Sequence, residues 1–210
     1  MRLPALISIL SCLGSIVHAD VIASAQYNSV PYFVTSVDSN FAAYVSWTQN
    51  TTYSGVEIDI YHRPVGPLTA FLTNALGPGT TSANQIASGA VTALPGPPVT
   101  LGRCFQDLTL GPGTYYLTVQ VEGTSELDWA VSRTGPGTIV TTATGVTVNV
   151  SGKTDFHAPY PPSSAFTTPY TVDGEPYSFD FVVSGTPVPE PSAVIILPLV
   201  FVGLRRRRGV

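Results

Sequence analysis

Between Thr114 and Glu122 the side chains alternate without a break. Tyr115, Leu117, Val119 and Val121 fall on one side; Tyr116, Thr118, Gln120 and Glu122 fall on the other. A period of two is the period of a β-strand with one face buried, and it cannot be wrapped onto a helix. Val56, Ile58 and Ile60 alternate in the same way with Glu57, Asp59 and Tyr61, and Phe41, Ala43, Val45 and Trp47 form one face of a strand over 41–48. Further strands are expected over 86–94, 99–110, 127–132, 138–142, 145–150 and 177–183, with 68–76 open between strand and a turn or two of helix. Residues 184–188 read as a linker and 158–169 as a proline-rich loop.

Gly-Pro-Gly-Thr occurs at Gly77–Thr80, Gly111–Thr114 and Gly135–Thr138. Proline presets the first central position of a type II turn, and glycine supplies the positive φ of the second. The spacings are unequal, so these are corners or strand entries rather than a solenoid repeat. A phosphate loop would require a following helix and usually a lysine, and neither is present. Many short strands separated by such turns indicate an all-β fold: an antiparallel β-sandwich, jelly-roll-like, over 20–187.

The ends of the chain follow other rules. Residues 1–19 have the form of a signal peptide: Met1 and Arg2, an apolar run over 3–17, then Val17-His18-Ala19, which predicts a cut between Ala19 and Asp20. Lipoprotein processing at Cys12 is the weaker alternative, because the apolar region before it is short and interrupted by Pro4. Residues 188–210 begin with Val188, Pro189, Glu190 and Pro191, whose prolines keep the segment extended and unpaired. An apolar run over 193–204 follows, then Arg205, Arg206, Arg207 and Arg208. The run is shorter than the ~20 residues of an ordinary spanning helix, and Pro198 interrupts it. It is a short transmembrane helix that thinning and snorkelling would help to fit. Positive charge stays cytoplasmic, which places the preceding domain outside.

The combination of Pro189-Glu190-Pro191, an apolar run and a terminal arginine cluster resembles the PEP-CTERM sorting signal of Gram-negative bacteria. The resemblance covers 188–208, about a tenth of the chain. It implies an exosortase as partner, Val188 to Pro191 as its recognition motif and Arg205 to Arg208 as the stop-transfer plug. It implies export through the Sec translocon, removal of the leader by signal peptidase, transient anchoring in the inner membrane, then display at the cell surface or release. It also implies association with exopolysaccharide and biofilm. An uncut membrane anchor is the alternative. Leu108–Leu117 resembles a hairpin common in extracellular bacterial sandwiches. With Val45–Thr48 and Tyr160-Pro161-Pro162 it looks like the ectodomains of PEP-CTERM proteins.

Charge points the same way. Five of the nine cations lie in the end segments, so Arg63, Arg103, Arg133 and Lys153 face twelve acids over 20–187, a net charge of −8. That excludes a nucleic-acid partner, which needs a basic face. Only Cys104 remains after the leader, so no internal disulfide is available, and a buried thiol is expected.

No catalytic set emerges, and no cofactor or metal is implied; a hydrolase remains an alternative that would need a cleft of clustered acids or histidines. His62 and His157, the latter near Asp155, are far apart in sequence. No Gly-x-Ser-x-Gly elbow is present. Glu57 and Asp59 share a strand face but lack partners for glycoside hydrolysis. Asp38, Asn40, Asp107, Asp173 and Asp180 could offer oxygens to calcium, without the spacing of an EF-hand. Thr141, Thr142, Thr144 and Thr147 lack the strict repeat of an ice-binding array. The aromatics allow two readings. Trp47, Trp129 and Tyr116 could stack sugar rings in a carbohydrate-binding module, or could simply pack in strands.

Overall fold

The computed structural model describes residues 19–27, 33–38, 42–63, 67–93, 99–121, 126–133, 138–149, 151–154, 171–172 and 175–189. The strands, in chain order, are β1 (Asp20–Tyr27), β2 (Phe33–Asp38), β3 (Ala42–Gln49), β4 (Tyr53–Arg63), β5 (Leu68–Thr73), β6 (Gln85–Ala90), β7 (Thr92–Ala93), β8 (Thr100–Leu110), β9 (Gly113–Val121), β10 (Glu126–Arg133), β11 (Thr138–Thr142), β12 (Val146–Val148), β13 (Gly152–Thr154), β14 (Thr171–Val172), β15 (Glu175–Phe179) and β16 (Phe181–Pro187). Apart from one 3-10 turn at Ser82–Asn84, every described element is a strand. All pairings are antiparallel, and the sheets curl into a half-barrel.

The strands form two sheets. The larger runs β11-β1-β16-β4-β10-β15-β14, with β2 on β10 and with β8 and then β7 on the other edge of β4. The smaller runs β12-β3-β9-β5-β6, with β13 also on β3. The period-two faces meet between them. Ala43, Val45, Trp47, Leu72, Leu117 and Val119 from the small sheet share one core with Ile22, Ile58, Ile60, Trp129, Phe181 and Val183 from the large one. Trp47 lies in its centre, stacked at 5.5 Å on Tyr115 and at 6.2 Å on Phe181.

Three local features shape this frame. The β4–β8 ladder shifts register three times, and two of the shifts flank backbone at positive φ, Gly55 (+57°) and Asp107 (+58°). Each extra residue increases twist and bends the strand, which is how a ladder this long can curl. At Gly77–Thr80 the amide of Thr80 donates to Gly77 O at 3.1 Å with Gly79 at φ +92°, the expected type II turn. The second Gly-Pro-Gly-Thr is not a hairpin. It carries the chain from β8 in the large sheet to β9 in the small one. Gln49 fastens this corner: its Nε2 donates to Leu110 O and Gly111 O, each at 3.0 Å, while its Oε1 accepts from Trp47 Nε1. Gly135–Gly137 of the third copy lie outside the described residues.

Two expectations need correction. The segment 177–183 is not one strand. It divides at Asp180, whose amide donates to Ala130 O at 2.8 Å and whose carbonyl accepts from Tyr61 N and Trp129 Nε1. Those bonds hand the chain from β10 over to β4. The supposed linker over 184–188 is the second half of β16, paired through Ser184 and Gly185 with β1 and through Ser184, Thr186 and Pro187 with β4. Small polar residues read as loop, but the strands on either side take up their backbone groups. The segment 68–76, left open, holds strand β5 over its first six residues. The leader, the short transmembrane helix and the arginine cluster lie outside the described residues. Among the described residues no helix is long and apolar enough to cross a membrane.

Candidate functional site

The two sheets present very different outer faces. On the large sheet, Glu57 and Asp59 point outward at alternate positions of β4, and like charges so placed repel. Arg103 of β8 resolves this. Its Nε donates to Asp59 Oδ1, its Nη2 donates to Asp59 Oδ2 at 3.2 Å, and the same Nη2 lies 3.0 Å from Glu57 Oε2. The forked contact with Asp59 raises the Arg103 pKa above its ordinary value. A shallow groove of about 510 Å³ runs beside it, lined by Ala90, Thr92, Arg103, Cys104, Phe105 and Gln106. Among the described residues Arg103 is its one charged lining group, and that charge is already matched by two carboxylates.

Among the described residues no reactive side chain opens into this groove. Cys104 is buried, and burial, reinforced by the Asp59 charge, pushes its thiol well above the usual range, so the thiolate is disfavoured. His62 is 1% exposed, and neither ring nitrogen has a hydrogen-bond partner. Burial holds its pKa below 6.5, which the neighbouring Arg63 backbone offsets only in part. Among the described residues no three His, Cys, Asp or Glu side chains converge as metal ligands. Asp107 is exposed at its bulge and Asp180 is buried at the strand break, while Asn40, Asp155, His157 and Asp173 lie outside the described residues.

The small sheet is the opposite case. Strands β3, β5, β6, β9 and β12 contain no charged residue. Register sets their outward side chains in rows across the strands: Thr147, Thr48 and Thr114; then Ser46, Tyr116 and Thr73; then Tyr44, Thr118, Phe71 and Ser88; then Gln120, Thr69 and Ala90. The middle is shielded, with Ser46, Thr73 and Thr118 buried. The first row is open: Thr147 is exposed, and Thr48, Thr114, Tyr116 and Asn149 are half-buried. Thr48 and Thr114 share a hydroxyl–hydroxyl contact of 2.9 Å, and Asn149 Nδ2 donates to Thr48 Oγ1 at 3.1 Å. The Tyr116 ring lies 6.1 Å from Tyr44, tilted by 59°.

The expected site residues separate accordingly. Trp47 and Trp129 are both 0% exposed, and their indole N–H groups are bonded to Gln49 Oε1 and Asp180 O. They belong to the core and cannot stack a sugar at the surface, because the inward positions of β3 and β10 hold them. Of the three candidate aromatics only Tyr116 reaches an outer face. Ala19 and Asp20 are exposed at the start of β1; Val188 and Pro189 are exposed just after β16. Glu190, Pro191 and Arg205 to Arg208 lie outside the described residues. The Arg103–Asp59–Glu57 cluster was not anticipated. Two carboxylates at alternate positions of one strand, in a chain with so few cations, were the available signal.

Compared with protein-family models, with curated proteins and with solved structures, the chain matches none.

Proposed function

We propose that this chain is an exported surface or matrix protein without enzymatic activity of its own: a jelly-roll-like sandwich over 20–187 carried between a leader and a C-terminal sorting signal. In this reading signal peptidase cuts after Ala19. The short apolar segment before Arg205 to Arg208 holds the domain on the outer side of the inner membrane, and an exosortase acting at Pro189-Glu190-Pro191 releases it to the surface or medium.

One observation carries most of the support. Strands β1 and β16 are neighbours, with Asp20 opposite Gly185. The predicted signal-peptidase junction and the entry to the sorting motif therefore lie side by side at one end of one sheet. Before the leader is removed both ends of the domain face the membrane, and adjacent ends let both segments reach one plane without spanning the fold.

Mass spectrometry of both termini, on envelope and medium fractions separately, tests the reading. Chains beginning at Asp20 and ending near Pro189-Glu190-Pro191 are expected. A chain that keeps Arg205 to Arg208 in every membrane fraction would replace this reading with an uncut, anchored ectodomain.

A further inference from the structure

We propose that the open end of the small sheet, formed by Thr48, Thr114, Tyr116, Thr147 and Asn149, is a binding site for a neutral polysaccharide. The inference is independent of how the tail is processed.

Three observations lead to it. The first is charge. The domain carries a net −8, yet five of the six strands of this sheet contain no Asp, Glu, Lys, Arg or His. The fully described charged side chains lie on or beside the larger sheet, as with Glu57, Asp59, Arg63 and Arg103. Among the described side chains of this row none carries a charge to pair with a carboxylate, phosphate or amine, which favours an uncharged ligand.

The second is hydrogen-bonding capacity. Hydroxyls both donate and accept, and an amide offers two donors and an acceptor. Thr48 and Asn149 use one contact to each other, which orients the row and leaves the Thr147 hydroxyl, the Asn149 carbonyl and part of Thr114 available. Adjacent strands space such groups by about 4.8 Å and successive outward residues by about 6.8 Å. Two rows deeper, the Thr118 hydroxyl is fully buried on the same face and has no hydrogen-bond partner.

The third is the ring. Tyr116 is half-buried and held in place by Tyr44, which is itself buried. A fixed aromatic ring beside hydroxyl groups suits a pyranose, which has an apolar C–H face and a rim of hydroxyls. A peptide ligand would look for an unpaired sheet edge or apolar pockets, whereas the groups here are hydroxyls, an amide and a ring on the face of the sheet, spread over β12, β3 and β9.

The test uses the full chain in detergent micelles. It is applied to a glycan array and to pull-downs on insoluble cellulose, on starch and, as the acidic counterpart, on alginate. Retention on at least one neutral glycan is expected, little changed by raising the salt. Tyr116→Ala should weaken it at least tenfold and Thr147→Ala by a few fold. Because Thr147 is exposed, its variant keeps the test valid if Tyr116→Ala fails to fold. Retention on alginate alone, retention on no glycan, or neutral-glycan binding unaffected by Thr147→Ala and by a folded Tyr116→Ala would each overturn the proposal.

Discussion

The amide of Val188 donates to the carbonyl of Thr52 at 2.8 Å, and the next residue is Pro189. Proline has no amide hydrogen, so the ladder that holds β16 to its neighbours cannot continue through it. Val188 thus contributes a terminal bond of the fold directly against the motif proposed for processing. A chain ending at Pro189 should be as stable as the longer one. A chain ending at Thr186 loses both the Pro187–Tyr53 pairing and the Val188 bond. The expected cost is about 1–2 kcal/mol, read as a lower denaturant midpoint at unchanged m-value. Equal midpoints for the two truncations would mean that the end of β16 contributes nothing.

Cys104 should behave as a core residue rather than a reactive thiol. It is 6% exposed, and burial disfavours its thiolate. Alkylation by iodoacetamide in native buffer should therefore be slow, and its rate should rise with denaturant in step with unfolding. Stoichiometric labelling within minutes in the absence of denaturant would place the thiol in an open environment. Cys104→Ala should cost about 1 kcal/mol, and Cys104→Asp far more, since a carboxylate there would be buried next to Asp59.

Gln49 ties the two sheets together at their Gly-Pro corner, where the Tyr115 hydroxyl also donates to Gly111 O at 2.7 Å. It is 2% exposed, and its amide serves Trp47 Nε1, Thr51 O, Leu110 O and Gly111 O. Gln49→Leu fills the space but strands the indole N–H and removes this donor from Thr51 O and Leu110 O, while Gly111 O keeps the Tyr115 hydroxyl, so a loss of about 2–4 kcal/mol is expected. Gln49→Glu keeps the acceptor for Trp47 yet sets a carboxylate against three carbonyl oxygens, and should be worse at neutral pH. Thermal and denaturant melts of the two variants would show the order; a variant ranking of Leu below Glu would contradict this account.

The strands themselves were legible because alternation records burial directly. Val56, Ile58 and Ile60 face the core as their spacing requires, and so do Leu117 and Val119. What escaped the sequence were choices made at long range. Gly111-Pro112 has the same turn chemistry whether the chain folds back within a sheet or crosses to another one. Only the partners of β8 and β9 decide that. Ser184-Gly185-Thr186 has the composition of a loop, but strands on either side take up its backbone groups. Trp47 and Trp129 could have faced either way until their strands acquired partners. Arg103 meets Asp59 across 44 positions of sequence, through a ladder whose bulges shift the register.

His62 makes the stability of this domain sensitive to acid. Its ring is packed against Gly102 and Val91, so closely that a methyl group on Gly102 would overlap the imidazole. The folded-state pKa lies below the ordinary 6.5, with burial as the main cause. As the pH falls through about 6.5 the unfolded chain takes up a proton before the folded one does. The contribution of neutral His62 is therefore complete above that pH and is lost progressively as the pH falls towards the folded value. One such group steepens the decline by at most about 1.4 kcal/mol per pH unit. Denaturant melts between about pH 8 and pH 5 should show a steeper loss for the native chain than for His62→Leu; equal slopes would mean that His62 does not titrate in a buried site. The same packing predicts a coupled pair. Gly102→Ala alone should cost about 1–3 kcal/mol through overlap with the ring. In a His62→Ala background the methyl group enters space the imidazole has left, and the cost should fall to what the remaining 2.8 Å approach to Val91 Cγ1 imposes. A double-mutant cycle that came out additive would show that Gly102 is required for its backbone alone and not for the room it leaves.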